Sequence, residues 1–467
     1  MAAALTSDSL VLLALWADTI QVHALLLDEA TLTALPVSTP VEAGRYPALS
    51  PSIPHAAWFE RMIHDLWGRI AEGGRDQRPW LDHATWPLSS PLAVRPDPPH
   101  PPYDPPDPPL SGHDPLMQLP LGPIWGRIEE AAQLRLTLSG KAVVAAESRL
   151  GFSHKGTLTL VRGKPPRTAA RFAARLSGDC TVAHAVAFAA ATEAALEVAA
   201  PPRAVALRIV MLEIERIAGH LDNLTEVARL AACQPVRTRC GYLRERLLQT
   251  SASAFGHRLM MDCVVPGGLA MDIAEGGPQV ILRVLGDISS QLAAVRHLHH
   301  GTALSARLTG VGRAGHMRVT ALGAGGVVGR ASGRRFDARA MTGGYHSLAP
   351  RGVVRQDGDA AARQHLRISE IDESLRLISA ALDQLPPGPL TVALPQASGE
   401  GIGCAESVRG DIWHWLRLDH GQIAGFFPRD PGWALWPLAE QVLQHGLADD
   451  ADLIRASFAL PVSGMDL

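Results

Sequence analysis

Between Leu207 and Ala228 the apolar residues fall at Leu207, Val210, Ile214, Ile217, Leu221, Leu224 and Ala228. This alternation of threes and fours winds one apolar stripe along a helix and requires a partner helix on that side. A second seam runs Ile368, Ile371, Leu375, Ile378, Leu382 and Leu385. Further helical stretches near residues 279–307 and 433–447 join them, so the pattern predicts a mainly α body, a long-helix bundle with peripheral β hairpins. One hairpin opens the body: Leu134, Leu136 and Leu138 alternate, Ser139-Gly140 supplies the turn, and Val143 and Val144 begin the return strand.

Ahead of the body lies a smaller unit. Phe59, Met62, Ile63, Leu66, Trp67 and Ile70 share one face of a helix starting near Pro54, and the runs 11–15 and 20–27 read as strands, which gives a small α+β domain. The two parts are joined by a stretch in which nine of the fifteen residues from Arg95 to Pro109 are proline, a composition that favours an extended linker. The expected division is therefore residues 1–94, a linker over 95–115, and a body over 116–467.

The charge balance narrows the function. A formal net charge of −3 with 19% charged residues gives no basic field for nucleic acid or an anionic membrane surface. The longest uncharged apolar run, Thr181 to Thr192, is far short of the ~20 residues of a membrane-spanning helix. The first residues lack the basic segment of a secretory signal, so a cytoplasmic protein with no transmembrane segment of its own is expected. The five cysteines, Cys180, Cys233, Cys240, Cys263 and Cys404, form no CxxC pair, which fits buried thiols in a reducing compartment.

Three local features invite sharper readings and do not sustain them. Gly323-Ala-Gly-Gly-Val-Val-Gly329 has the wrong spacing for a dinucleotide loop, and the segment after Arg330 is not a helix start, so a turn-rich loop is preferred. His297, His299 and His300 do not converge on a helix as an i, i+4 pair does, which favours a polar face over a metal site. Cys233 and Cys240 read as core thiols.

The body carries a resemblance. Arg149-Leu-Gly-Phe-Ser-His-Lys-Gly156, Glu215-Arg-Ile-Ala-Gly-His220, Val264-Val-Pro-Gly-Gly268, Gly329-Arg-Ala-Ser-Gly333 with Asp337 and Arg339, Glu406-Ser-Val-Arg-Gly410 and the segment from Ser457 to Leu467 occur in this order. Together they resemble the large subunit of energy-converting [NiFe]-hydrogenases of the formate hydrogenlyase type, and the homologous quinone-site subunit of respiratory complex I. Trp58-Phe-Glu-Arg-Met-Ile-His-Asp-Leu-Trp-Gly68, Asp76-Gln-Arg-Pro-Trp-Leu81 and Trp86-Pro-Leu88 are similar to the smaller complex I subunit that such hydrogenases carry fused in front, here in truncated form.

The resemblance breaks where the family does its chemistry. Its nickel–iron centre hangs on four cysteine thiolates, which align with Ser177, Cys180, Pro461 and Gly464, so only Cys180 is retained and no metal is expected in this chain. The family's proton-relay glutamate aligns with Leu158. The tyrosine, histidine loop and aspartate of the complex I quinone site align near Gly178, residues 123–125 and Leu230, and none matches. Other residues, such as His154, His184 or Tyr345, leave quinone binding open.

What persists is a charged skeleton, Arg175, Glu215, Arg216, His220, Arg330, Asp337, Arg339, Glu406 and Arg409, whose members survive burial only when paired. Arg409 is expected to find its carboxylate on the loop of Asp337 and Arg339. The candidates around the vacated pocket are His154, Ser177, Asp179, Cys180, His184, Asp337 and Arg409. The resemblance implies a non-hydrogenase homologue, a structural and coupling subunit in the peripheral arm of a complex on the inner membrane. It implies no cofactor in this chain, a [4Fe-4S] cluster on a small iron–sulfur partner subunit, and membrane ion-pumping subunits as further partners. The alternative is an oxidoreductase subunit that reduces quinone or another acceptor in the vacant pocket.

Overall fold

The computed structural model describes residues 10–76, 78–96, 98, 116–125, 130–301, 303–444 and 446–467, so most of the expected linker 95–115 lies outside the described residues. The chain opens with an antiparallel meander, β1 (Leu10–Ala17), β2 (Gln21–Asp28) and β3 (Thr33–Pro40), with β2 in the middle. β1 and β2, expected as alternating stretches, are instead buried nearly throughout, so both of their faces are covered. Helix α1 (Ala56–Trp67) covers the sheet and stops at Gly68, which takes φ 64° and returns its N–H to the His64 carbonyl. The apolar periodicity carried the helix on to Ile70. The left-handed glycine ends it two residues earlier, and Ile70 instead begins a short strand paired in parallel with Arg45–Pro47.

The body begins with a second antiparallel sheet, β4 (Met117–Leu121), β5 (Gln133–Ser139) and β6 (Ala142–Arg149), whose β5–β6 turn lies at the predicted place. The bundle follows: α2 (Thr181–Ala195), α3 (Pro202–Leu230), α4 (Gln234–Phe255), α5 (Gly277–His300) and α6 (Ala360–Asp383). A third meander, β7 (Gly399–Glu406), β8 (Asp411–Asp419) and β9 (Gln422–Arg429), leads to α7 (Gly432–Leu443) and α8 (Ala451–Phe458). This is the mainly helical body with small antiparallel sheets that the pattern predicts, and no helix among the described residues is long and apolar enough to cross a membrane.

The seam of α3 called for a partner on one side. Instead α3 packs against α2, α4, α6 and α8, and it buries Glu213, Glu215, Arg216 and His220 along with its leucines. Its polar face meets other polar side chains rather than solvent.

Helix α2 is alanine-rich because β7 lies directly on it. A Cβ at Gly399, Gly401 or Gly403 would come within 2.0, 2.1 and 2.2 Å of the carbonyls of Ala195, Ala191 and Ala187. Glycine every second residue on the strand thus meets alanine every fourth on the helix, since two strand residues and four helix residues both advance about 6 Å. The glycine run 323–329 has a similar cause. A short helix, Gly326–Ala331, begins inside it, and a Cβ at Gly326 (φ +60°) would lie 2.3 Å from the Arg409 carbonyl. Close backbone approach accounts for these glycines, and no phosphate cradle is needed.

The N-terminal unit and the body share one apolar cluster. Trp16 stacks on Phe427 with ring centroids 5.2 Å apart, and Phe59 stacks on Trp433 at 4.6 Å. Ion pairs between Asp18 and Arg417 (3.0 Å) and between Glu29 and Arg334 (2.8 Å) flank this contact.

Candidate functional site

Three segments converge at the N-terminus of α2: the turn Ser177–Cys180, the turn Ser407–Gly410 between β7 and β8, and the tail after α8. They wall a cavity of 930 Å³ together with α3 and α4. The turn after β7 reaches α3 because residue 219 is glycine; a Cβ there would sit 2.8 Å from Val408.

Arg409 ties the segments together. Its Nε donates to the Ala459 carbonyl (2.9 Å), its Nη1 to Asp179 Oδ1 (2.9 Å) and towards Cys180 Sγ (3.2 Å), and its Nη2 to the other Asp179 oxygen. Ser177 Oγ donates to the same carboxylate at 2.8 Å. Asp179 faces the cavity with 51% of its side chain accessible. Its depth in the fold works to raise its pKa, but the guanidinium and the serine outweigh this and bring it to about 2. Burial pushes the Cys180 thiol well above its ordinary value, with Arg409 opposing, so the sulfur stays protonated. Glu215, also on the cavity wall, accepts the backbone N–H groups of Val182 (2.7 Å) and Ala183 (3.0 Å) at the start of α2. Burial nevertheless lifts its pKa to about 8.

Behind this wall lies a second cluster. Glu370 accepts from Arg216 (2.6 Å) and from Arg330 (2.7 and 3.0 Å), and His220 Nε2 lies 3.1 Å away. Arg330 also pairs with Glu406 at 2.9 Å, and Asp337 holds Arg339 at 2.7 Å. Glu213 accepts from Tyr345 (2.6 Å) and Ser374 (2.5 Å). Burial works to raise Glu370, yet Arg330 and Arg216 hold it well below the usual carboxylate range.

Ser177, Asp179, Cys180 and Arg409 therefore come together, and Pro461 joins them on the cavity wall. Four other predicted positions stand elsewhere. His154 bonds the Asp466 carbonyl (2.6 Å) and stacks on Trp86; Asp337 belongs to the second cluster; Tyr345 is sealed against Glu213; and His184 is wholly buried behind Cys180. Two expectations are corrected. Arg409 takes Asp179 as its partner, not the loop of Asp337 and Arg339, and Arg175 is an exposed residue paired with Asp262 (2.5 Å) outside the buried skeleton. Glu213, Glu370, His414 and Asp430 were not singled out from the sequence; Glu213 and His414 stand as lone polar residues between apolar neighbours, whereas Glu370 and Asp430 carry no such mark.

At Gly464 a Cβ would lie 2.8 Å from the Asp430 carboxyl carbon, so that carboxylate fills the space a side chain at 464 needs. Cys180 is thus the one sulfur among the four aligned positions, it faces a guanidinium, and proline and glycine offer no side-chain donor. This donor set does not fit a nickel–iron centre.

Comparison with known proteins matches residues 236–400 to the 49 Kd subunit of respiratory-chain NADH dehydrogenase, residues 155–224 to nickel-dependent hydrogenase, and residues 6–98 to the 30 Kd subunit of respiratory-chain NADH dehydrogenase. Formate hydrogenlyase subunit 5 of Escherichia coli is 27% identical over 461 residues, covering 93% of this chain and 79% of that one. The membrane-bound hydrogenase subunit alpha of Pyrococcus furiosus is 28% identical, covering 71% and 83%. An NADH-quinone oxidoreductase subunit of Gluconacetobacter diazotrophicus is 28% identical, covering 83% and 69%. In fold, the chain is similar to one from the membrane-bound sulfane sulfur reductase, an archaeal respiratory membrane complex, with a TM-score of 0.71 at 23% identity, covering 75% of this chain and 98% of that one.

Proposed function

We propose that this chain, a homologue of formate hydrogenlyase, membrane-bound hydrogenase and NADH-quinone oxidoreductase subunits, is a peripheral-arm subunit of a membrane-associated redox complex and not itself a hydrogenase. Its role is structural and coupling. It docks on a small iron–sulfur subunit that holds the [4Fe-4S] cluster, and through that subunit on membrane ion-pumping subunits. The chain holds no metal and sits at the cytoplasmic face of the inner membrane through its complex.

One observation carries this reading: the Arg409 guanidinium, held by Asp179 and turned to Cys180, stands where the aligned thiolates would gather around a metal. Its fixed positive charge joins the turn Ser407–Gly410 to the turn Ser177–Cys180 and to the tail at Ala459, and the aligned ligand positions lie on the latter two segments. The test is affinity isolation of the tagged chain from its native membranes. An iron–sulfur subunit and membrane subunits should come with it, and the complex should evolve no hydrogen. Recovery of the chain alone would contradict the proposal.

A second reading is favoured by the cavity itself. Its volume of 930 Å³ holds a small acceptor, and Glu215, with a pKa of about 8, can release or take a proton at its wall. Reduction of a quinone or another acceptor by the isolated complex, lost in Glu215→Gln, would select this reading over the scaffold.

A further inference from the structure

Where the N-terminal unit meets the sheet of β4, β5 and β6, four arginines line one small pocket of 80 Å³. Two come from the sheet. Arg135 on β5 stands opposite Glu147 on β6, and Gln133 stands opposite Arg149, so the period of two puts all four side chains on one face. The other two come from the N-terminal unit, Arg61 from the middle of α1 and Arg78 from the loop before Trp80. Arg61 is held firmly. Its Nε donates to the Arg78 carbonyl (2.8 Å) and its Nη2 to the Pro79 carbonyl (2.7 Å), and its guanidinium lies 5.2 Å from the centre of the Trp80 ring.

The counter-charge on the page falls short of four guanidinium groups. Among the described residues Glu147 is the one carboxylate on the wall, and it accepts from both Arg78 and Arg135. From outside the wall Asp76 serves Arg78 (2.6 Å) and, at 3.5 Å, Arg61. Asp65 and Glu440 also act on Arg61. Asp65, however, already accepts the backbone N–H groups of Trp80, Leu81 and Asp82, and burial pushes Glu440 up to about 7. Burial lowers the pKa of Arg61, and the neighbouring Arg78 adds to this in spite of Asp76. Arg149 pairs with no carboxylate among the described residues and lies 5.4 Å from the centre of the Phe152 ring. Arg135 bonds the described residues through Nη2 alone, so its Nε and Nη1 are donors still to be used.

We propose that this pocket binds one small oxyanion, of the class of inorganic phosphate and sulfate, between Arg135 and Arg149 of the sheet and Arg61 and Arg78 of the N-terminal unit. The planar fork of a guanidinium matches two oxygens of such an ion, and the unused donors of Arg135 and Arg149 supply that match. A pocket of 80 Å³ takes a single ion of this size and is too small for a nucleotide. Glu147 competes with the ion for Arg78 and Arg135. Since each unit contributes two of the arginines, a bound ion ties the N-terminal unit to the body, beside the ion pairs of Asp18 and Glu29. The site shares no lining residue with the cavity at Arg409 and is independent of the partners proposed above.

The test is titration calorimetry of the full chain with inorganic phosphate, at an ionic strength held constant with chloride. One saturable site per chain is expected, with sulfate as a competitor. Arg149→Gln, at an exposed position without an ion pair among the described residues, should weaken binding about tenfold, as the loss of a charged hydrogen bond does. Arg135→Gln should do the same. Glu147→Gln removes the competing carboxylate and should tighten binding about tenfold. Should Arg135→Gln fail to fold, the opposite signs of the Arg149 and Glu147 variants decide. No saturable binding at millimolar phosphate, or an affinity that does not move in opposite directions in these two variants, would overturn the site.

Discussion

Around Glu370, Arg216 and Arg330 share one carboxylate in a cluster almost closed to water; around Arg409, a similar ion pair stands at the edge of a cavity with half of its Asp179 side chain accessible. The first cluster locks α3 to α6 and to the segment after Gly326. The second bridges turns and the C-terminal tail. The residues that depart from the aligned ligand cysteines, Ser177, Pro461 and Gly464, belong to the second region alone, and the motif charges Arg216, His220, Arg330 and Glu406 belong to the first. Two further motif charges, Glu215 and Arg409, stand on the cavity wall, so retained residues serve both regions while the departures at 177, 461 and 464 are confined to the second.

Glu370→Ala should have the largest effect on stability. It leaves two buried guanidinium groups without their shared partner, and a cost of about 3–5 kcal/mol in chemical denaturation is expected. Arg409→Ala removes a partner from a carboxylate that water already reaches, so the expected loss is smaller, about 1–3 kcal/mol. Equal losses in the two variants would erase the distinction.

Two groups of the cavity should also be told apart by pH. Asp179, lowered to about 2 in the fold, contributes stability that is present above its unfolded value of 3.8 and is lost as pH falls through about 2. Glu215 has the opposite sign. Its folded value of about 8 lies above the ordinary 4.5, so the fold holds its proton more tightly and loses stability as pH rises from about 5 to 8. Glu215→Gln removes the charge and keeps one acceptor oxygen, for either Val182 or Ala183. Its melting temperature should therefore change less over that pH interval than that of the native chain. The smallest effect is expected of Ser177→Ala, which removes one hydroxyl from a carboxylate that Arg409 already holds, about 0.5–1 kcal/mol in the same assay.

Much of the architecture was legible in the chain. The seams on α3 and α6, the β5–β6 turn and the first two strands follow from spacing alone. On α3 the resemblance marked Glu215, Arg216 and His220 but spacing alone did not, because a 3.6-residue period shows which face is apolar and cannot say whether the opposite face meets water or other charges. Glu213 and Glu370 look like solvent-facing residues until α3 and α6 are packed. The cavity was half legible: Ser177, Asp179, Cys180 and Arg409 were named from alignment, but their pairing required the positions of the turns. His414 and Asp430 were hidden because they meet His184 across 230 and 246 residues. The alternating glycines 399, 401 and 403 were a readable sign that a helix lies on that strand.

Three of the four aligned positions carry no sulfur and the fourth, Cys180, faces Arg409, so the pocket should hold no nickel. Nickel analysis of the tagged, intact complex, isolated from cells supplied with nickel, tests it most directly. Nickel should stay far below one equivalent per chain and be unchanged in Cys180→Ser; about one nickel per chain, lost in Cys180→Ser, would show a working metal site instead.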